Sequence, residues 1–294
     1  MGEWSAMMKQ KHDKQSSQDG NFLLNLRSPA EIKEAYVKLR TNLMFCMTAD
    51  GTRNCKVFAV TGANQGEGKS ITAANIAISF AMIGKKTLLL DADMRSSSQR
   101  RIWKNRTLTG LSDFLAEIKP LEVFSVKELP LSIVFTGTLP PNPSELLSSE
   151  KMSGFVKECS NRFDYIIIDT SPYFNELTAE ILLVSDLIII PTEIEVDSLD
   201  AMTTTINELN YLCGGQITFK LLFTKVESLK TIENDIEELD TIYVDHRFQT
   251  YIRYHKYAVQ RARKYHQPLA KRYKMANVTK DYKALAKEII KEGI

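Results

Sequence analysis

A hydrophobic run followed by a glycine-rich loop is the segment of the chain most able to do chemistry. Residues 57–61 are apolar or β-branched, as in a buried strand, and the loop that follows contains Gly66 and Gly68 and ends in Lys69 and Ser70. Glycines let successive backbone N–H groups turn toward an anion, lysine adds a positive charge, and the serine hydroxyl can bind a cation. Strand, loop and helix in this order predict a loop that binds nucleotide phosphates.

The predicted phosphate loop departs from the general pattern at one position, because Ala63 stands where the first glycine is expected. A glycine loop between a strand and a helix also occurs without a ligand, but the Gly-Lys-Ser at its end favours phosphate binding. The residues expected to contact the nucleotide are Ala63, Asn64, Gln65, Gly66, Glu67, Gly68, Lys69, Ser70 and Ile71.

Two aspartates follow apolar runs further along the chain. Asp91 comes after residues 88–90 and Asp169 after residues 165–168. Ligands of open parallel sheets bind at the carboxyl edge, so both carboxylates are expected beside the phosphate loop. There they can hold Mg²⁺ together with the Ser70 hydroxyl, and one of them can orient or deprotonate a nucleophile. The alternative is that each aspartate caps a following helix. Two such aspartates in a chain with a phosphate loop favour the metal site.

These segments belong to a longer alternation of short apolar runs and amphipathic stretches. Such an alternation is typical of an α/β fold, a doubly wound and mainly parallel sheet with helices on both faces. Strands are predicted at residues 57–61, 87–90, 133–136, 165–168, 187–191 and 217–223, and helices near 29–47, 70–83, 108–118, 144–159 and 198–212. From residue 245 onward no strand is predicted, and basic, tyrosine-rich helices are expected.

Composition divides the chain into a tail, one domain and a basic end. Residues 1–28 are polar and predict a disordered tail, and residues 29–294 predict a single domain. The whole chain has 38 Lys and Arg against 36 Asp and Glu, but residues 247–292 contain 13 basic residues against 3 acidic ones. The spacing of the cysteines argues against disulfides and structural metal sites, and no segment has the pattern of a signal peptide or membrane span. A cytoplasmic protein, open to membrane recruitment by a partner, is expected.

Five islands of sequence resemble the bacterial tyrosine kinases of capsule and exopolysaccharide systems, which share the fold of the MinD/ParA-like deviant Walker P-loop ATPases. They are residues 34–42, similar to an oligomerisation helix, 63–70 (Walker A), 91–95 (Walker A′), 140–147 and 164–172 (Walker B). The resemblance covers residues 29–173. Residues 174–294 are more similar to ParA-type partition ATPases.

The resemblance implies a Mg·ATP site and an ATP-dependent protein-tyrosine (auto)kinase. Lys69 and Ser70 would bind the phosphates and Mg²⁺, and Asp91 and Asp169 would hold the metal. Asp93 would lie beside the γ-phosphate and accept the tyrosine proton, which makes it a catalytic residue together with Lys69 and the two other aspartates. The implied partners are further copies of the chain, in a dimer or ring, and a membrane adaptor protein of the polysaccharide system.

Three positions depart from the relatives. Val37 stands where the kinase helix has the first arginine of Glu-x-x-Arg-x-x-Arg, which leaves Glu34 and Arg40. Ser171 replaces the first proline of Asp-Thr-Pro-Pro. Asn64 stands where the partition ATPases have their signature lysine, so their cross-dimer lysine mechanism is not carried over.

Two functions are left to be separated. The kinase needs acceptor tyrosines, and tyrosines near the C-terminal end can instead be helix-packing residues. The candidates are Tyr251, Tyr254, Tyr257, Tyr265, Tyr273 and Tyr282.

The alternative is a ParA/MinD-like positioning ATPase that dimerises on ATP and binds DNA non-specifically through a basic face within residues 247–292. That face would comprise Arg247, Arg253, Lys256, Arg261, Arg263, Lys264, Lys271, Arg272 and Lys274. The kinase is favoured because five motifs surround the chemistry.

Overall fold

The computed structural model of the chain describes residues 9–11, 24, 30–46, 56–96, 98–147, 150–172, 176–215, 217–226, 236–237, 239 and 241–253. The strands are β1 Lys9–Lys11, β2 Lys56–Val60, β3 Thr87–Asp91, β4 Glu122–Ser125, β5 Leu131–Val134, β6 Tyr165–Asp169, β7 Leu187–Glu193, β8 Phe219–Val226 and β9 Ile252–Arg253. The helices are α1 Ala30–Cys46, α2 Lys69–Met82, α3 Ser98–Ile102, α4 Leu111–Leu115, α5 Pro143–Leu147, α6 Glu150–Cys159, α7 Glu176–Leu183 and α8 Val196–Leu212, with a 3₁₀ turn at Val244–His246.

The strands form one sheet in the order β1-β4-β5-β3-β6-β2-β7-β8-β9. Every neighbouring pair is parallel except β4 and β5, which run antiparallel. The register places Asp169 at the end of β6 opposite both Asp91 of β3 and Val60 of β2. The predicted mainly parallel α/β sheet is confirmed. Its carboxyl edge brings the two aspartates and the start of the phosphate loop together.

Successive residues of the central strands pack into different cores, which is why these strands are apolar throughout. Leu89 packs with α2 and α1 on one face, and Leu88 and Leu90 pack with α4 and α6 on the other. Helix α2 is itself buried over most of its surface, because α1 covers the side that faces away from the sheet. A helix buried all round lacks a polar face, and α2 is correspondingly rich in alanine and isoleucine.

Several elements differ from the sequence-based prediction. Strand β4 was not predicted, because it is four residues long and lies in a hairpin with β5. Helix α3 has only five residues, too few to show a period. The predicted helix at residues 144–159 is two helices, α5 and α6. Beyond residue 245 the prediction of no strand is wrong, because β9 pairs with β8.

The predicted tail is described at only four positions. Lys9–Lys11 form the edge strand β1, parallel to β4, and Leu24 is buried with its backbone N–H donating to Asn75 Oδ1 at 2.7 Å. At these four positions the chain contacts the domain, and the disordered tail that composition predicts stays a prediction. The remainder of residues 1–28, and residues 254–294 of the predicted basic end, lie outside the described part of the chain.

Gly137 lies where its segment crosses that of Gly110 beside the carboxyl edge of the sheet, and we expect its replacement to destabilise the fold. Its φ is 91°, and a Cβ added there would lie 2.3 Å from Asp113 Oδ2 and 2.6 Å from the backbone nitrogen of Gly110. Gly137→Ala should lower the free energy of unfolding by about 3 kcal/mol, the sum of left-handed strain and a forced backbone shift. Urea unfolding measures the change. The control is Gly154→Ala in α6, which has open space around it and should raise stability by about 0.5–1 kcal/mol. Equal effects at the two glycines would contradict the crossing.

Candidate functional site

The predicted phosphate loop connects β2 to α2, and glycine shapes its backbone. Gly66 and Gly68 have φ values of 99° and 93°, a left-handed region that glycine adopts without strain. Helix α2 begins at Lys69, and the amide of Thr72 donates to the carbonyl of Gly68 at 2.8 Å. The loop therefore leads directly into a helix N-terminus, where backbone N–H groups favour an anion.

The predicted contact residues of the loop differ in exposure. Gln65 and Gly66 are exposed, Glu67 and Lys69 are buried, and Ala63, Asn64, Gly68, Ser70 and Ile71 are half-buried. The exposed and half-buried positions form the accessible rim of the loop, and the two charged residues lie inside it.

Glu67 and Lys69 both contact Asn64. The Glu67 carboxylate accepts the backbone N–H of Asn64 at 3.0 Å and its side-chain amide at 3.2 Å, and the Lys69 ammonium group donates to the Asn64 carbonyl. Burial lowers the pKa of that ammonium group, and the carboxylates of Glu67, Asp169 and Asp93 oppose the shift. Burial also raises the pKa of Glu67. The lysine thus carries a partly desolvated charge that can stabilise a phosphate oxygen.

Asp91 and Asp169 face each other at the ends of adjacent strands, and both are fully buried. Oδ2 of Asp91 and Oδ1 of Asp169 accept no hydrogen bond from the residues that the structure describes. Burial and the neighbouring Asp169 carboxylate raise the pKa of Asp91 well above its usual range. Burial raises the pKa of Asp169 to about 7, although hydrogen bonds from Gln99 and Ser70 pull it down. Two buried carboxylates with unpartnered oxygens are unfavourable by themselves and call for a compensating cation.

These residues fit a magnesium ion. Mg²⁺ prefers one or two carboxylates, a hydroxyl and phosphate oxygens to an all-protein cage. Asp91, Asp169 and the Ser70 hydroxyl supply such a set, and the Ser70 hydroxyl lies close enough to Asp169 to help lower its pKa. The described residues contain no group of three or more His, Cys, Asp or Glu side chains that would bind a metal by themselves. The remaining ligands would therefore have to come from a nucleotide and water.

Asp93 lies at the same edge, and hydrogen bonds in its own turn hold its carboxylate. Oδ1 accepts the amides of Arg95 and Ser96 at 3.2 Å each, and Oδ2 accepts the Ser96 hydroxyl at 2.8 Å. The hydroxyl of Thr136 donates to the carbonyl of Asp91 and to that of Asp93, at 3.3 Å each. The hydrogen bonds to the Asp93 carboxylate and those from the Thr136 hydroxyl therefore fix the turn after β3, which places Asp91 and Asp93 at the carboxyl edge.

Two residues that the sequence analysis did not assign to the site also contact it. Gln99 of α3 is fully buried, and its amide contacts both Asp169 and Ser70. Thr224 of β8 donates to the carbonyl of Glu67 at 3.0 Å and thereby ties the loop to a distant strand. Gln99 has no sequence signal, because one uncharged polar residue in a short helix has no distinctive spacing.

The predicted acceptor and DNA-contact residues are mostly outside the described residues. Tyr251 is half-buried, and its hydroxyl accepts a hydrogen bond from Arg253 at 3.2 Å. The Arg253 guanidinium also lies over the Tyr251 ring, 5.4 Å from its centroid. Arg247 donates to the carbonyl of Phe248. The other candidate tyrosines and basic residues fall within residues 254–294.

Within the part of the chain that the structure describes, no helix combines the length and the apolar character that crossing a membrane requires.

The AAA domain family, AAA_31, matches residues 55–216, more than half of the chain. The tyrosine-protein kinase YwqD of Bacillus subtilis (strain 168) is 39% identical over 151 residues, which are 51% of this chain and 62% of YwqD. The chain thus spans less than two thirds of the length of the curated relatives it matches. The predicted resemblance to bacterial tyrosine kinases is confirmed.

Two solved structures have the same fold. The BceF tyrosine kinase domain superposes with a TM-score of 0.55 at 29% identity, covering 64% of this chain and 76% of that domain. A chain of the MinC:MinD cell division protein complex from Aquifex aeolicus superposes with a TM-score of 0.57 at 20% identity, covering 75% and 86%. The second likeness concerns the fold alone. Together with the family match, these comparisons show that the chain belongs to the AAA domain family and has the nucleotide-binding P-loop fold of bacterial tyrosine kinases and MinD.

Proposed function

We propose that this chain is an ATP-dependent protein-tyrosine kinase of a capsule or exopolysaccharide system, and that it phosphorylates itself. The observation that carries the proposal is the pair of buried, partly unpartnered carboxylates of Asp91 and Asp169 beside the Lys69 loop. Such a site suits phosphoryl transfer, in which a protein supplies mainly positioning and charge. The identity to bacterial proteins named tyrosine kinases supports tyrosine as the acceptor.

In this proposal the loop binds the phosphates and the aspartates bind the metal. The N–H groups of the loop and Lys69 would bind the β- and γ-phosphates of ATP, and Ser70, Asp91 and Asp169 would hold Mg²⁺. The chemistry that Mg²⁺ supplies when bound is compensation of the negative charge on the phosphate oxygens. The cofactors are therefore ATP and Mg²⁺.

The transfer itself needs a proton acceptor. The tyrosine oxygen forms a bond to the γ-phosphorus, the bond from that phosphorus to the bridging oxygen breaks, and ADP leaves. The phenolic proton passes to Asp93, whose Oδ2 must first exchange the Ser96 hydroxyl for the substrate hydroxyl. Asp93 is otherwise held in place by the two amides on Oδ1.

Phosphotyrosine mass spectrometry of the full chain tests the proposed function. After incubation with Mg·ATP, we expect phosphate on at least one of the candidate tyrosines between residues 251 and 282. Incubation with Mg·ADP, or of the Lys69→Met variant with Mg·ATP, should give none. ATP hydrolysis without any phosphotyrosine would contradict the kinase. In that case, ATP-dependent and salt-sensitive DNA binding would support the positioning ATPase instead.

No contact among the described residues favours the DNA-binding alternative. Of its predicted basic face, Arg247 and Arg253 are described, and both form hydrogen bonds within the chain. The fold that the chain shares with MinD is also the fold of the BceF kinase domain, so it does not separate the two functions.

Self-association and a membrane adaptor complete the proposal. Val37 is 41% exposed on α1, but the Arg40 guanidinium turns inward and donates to the Ser79 carbonyl at 3.0 Å. Because Arg40 is held within the chain, a dimer is favoured over a ring formed through this helix. Light scattering with and without Mg·ATP distinguishes the two assemblies.

The proposed membrane adaptor can be tested separately. If it recruits this chain from the cytoplasm, the chain should sediment with membranes only when the adaptor is present.

A further inference from the structure

The buried amide of Gln99 joins three elements around the proposed metal site. Its Nε2 lies 2.8 Å from Oδ2 of Asp169 and 2.8 Å from the carbonyl oxygen of Ser70. Its Oε1 lies 3.1 Å from the indole Nε1 of Trp103. An indole N–H can only donate, so the amide oxygen must face Trp103 and the two amide hydrogens must face the two other oxygens. The orientation of the amide is thereby determined by its surroundings.

We propose that Gln99 is a positioning residue for the divalent cation. It holds Oδ2 of Asp169, so that the unpartnered Oδ1 remains for the metal, and it links this carboxylate to the first turn of α2, which carries the Ser70 hydroxyl. The inference rests on the proposed Mg·ATP site. It adds a residue that contacts neither metal nor nucleotide and acts through Asp169 and Ser70.

A positioning role accounts for the buried Gln99 amide better than a packing role does. A buried polar side chain gains little stability over an apolar one of the same size, because its hydrogen bonds replace those it makes with water. A neutral donor orients the Asp169 carboxylate without cancelling the negative charge that a cation needs, whereas a lysine or arginine would cancel it. Both amide hydrogens of Gln99 are directed at residues of the proposed ligand set, and the hydrogen bond from Trp103 fixes the amide oxygen.

Gln99→Met and Gln99→Asn test the inference through nucleotide binding rather than activity. Methionine keeps the length of the side chain without a donor, and asparagine keeps the amide but is one methylene too short. A fluorescent ATP analogue is titrated into each full-length variant at increasing MgCl₂ and, separately, in EDTA. We expect the magnesium concentration for half-maximal binding to rise about 10–100-fold, with affinity in EDTA unchanged. Thermal unfolding confirms that each variant is folded, and the asparagine variant carries the test if methionine disrupts packing.

Trp103→Phe is the matched control, because it removes the donor to Oε1 and leaves Nε2 in place. Its magnesium requirement should rise less than that of either Gln99 variant. An equal loss of affinity with and without magnesium would show that Gln99 only supports the loop and would overturn the inference. An unchanged magnesium requirement would overturn it as well. Wild-type protein that binds nucleotide equally well in EDTA would instead overturn the proposed Mg²⁺ site, and the positioning role with it.

Discussion

The Lys69→Met variant is expected to lose ATP turnover by about 10²–10³-fold, the effect of removing one charged donor from a preorganised site. Lys69 is buried within the phosphate loop, where its ammonium group donates to Asn64. Burial lowers its pKa, and nearby carboxylates, first that of Glu67, oppose the loss of the proton. When ATP enters, a phosphate oxygen is a stronger acceptor than the Asn64 carbonyl, so the lysine is expected to change partners. Release of inorganic phosphate and of phosphotyrosine under single-turnover conditions measures the effect.

Methionine keeps the apolar stem of the lysine, so the fold should survive the substitution. The lost attraction to the carboxylates is offset by the absence of a desolvated charge, and the free energy of unfolding should change by about 1 kcal/mol or less. Lys157→Met, at an exposed position of α6, is the matched control and should retain wild-type turnover. Turnover of Lys69→Met within about threefold of wild type would show that the lysine does not act on the phosphates.

The positions of the glycine loop and of the two aspartates in the fold could be predicted because each is a local feature of the sequence. The loop requires glycine at Gly66 and Gly68, both of which have positive φ, and Lys69 and Ser70 follow it directly. Asp91 and Asp169 each end an apolar run, and strands that are buried on both faces must be apolar throughout. Placing both at one edge then follows from parallel pairing, and the register confirms it.

Other parts of the site depend on contacts between residues far apart in the chain. Gln99 lies 70 residues from Asp169 in sequence, and Thr224 lies 157 residues from Glu67. A single polar residue has no periodicity, so sequence pattern cannot show which buried oxygen it will meet. Strand β4 was missed for a similar reason, because its pairing partners β1 and β5 stabilise a segment that is too short to show alternation.

Asp91 and Asp169 are expected to destabilise the fold when no cation is bound, and this cost is the reason that they indicate a binding site. Asp169→Asn should abolish Mg²⁺-dependent activity but raise the free energy of unfolding by about 1–3 kcal/mol in EDTA at pH 8. Burial raises the pKa of Asp169 to about 7, so the carboxyl binds a proton more tightly in the folded chain than in the unfolded chain. The contribution of this group is therefore most favourable below its ordinary pKa of 3.8 and is lost as pH rises toward and through 7. The stability advantage of the asparagine variant should grow between pH 5 and pH 8.

Asp113→Asn supplies a control with the opposite sign. Burial tends to raise the pKa of Asp113, but hydrogen bonds from Thr138 and Gly110 outweigh burial and lower it. This carboxylate therefore stabilises the fold above its ordinary pKa, and its replacement should cost about 1–2 kcal/mol at pH 8 and less as pH falls toward 4. Urea unfolding of both variants at pH 5, 6.5 and 8 compares the two slopes. If Asp169→Asn were instead destabilising at pH 8, the buried pair would be part of the structural framework, and its unpartnered oxygens would no longer indicate a cation site.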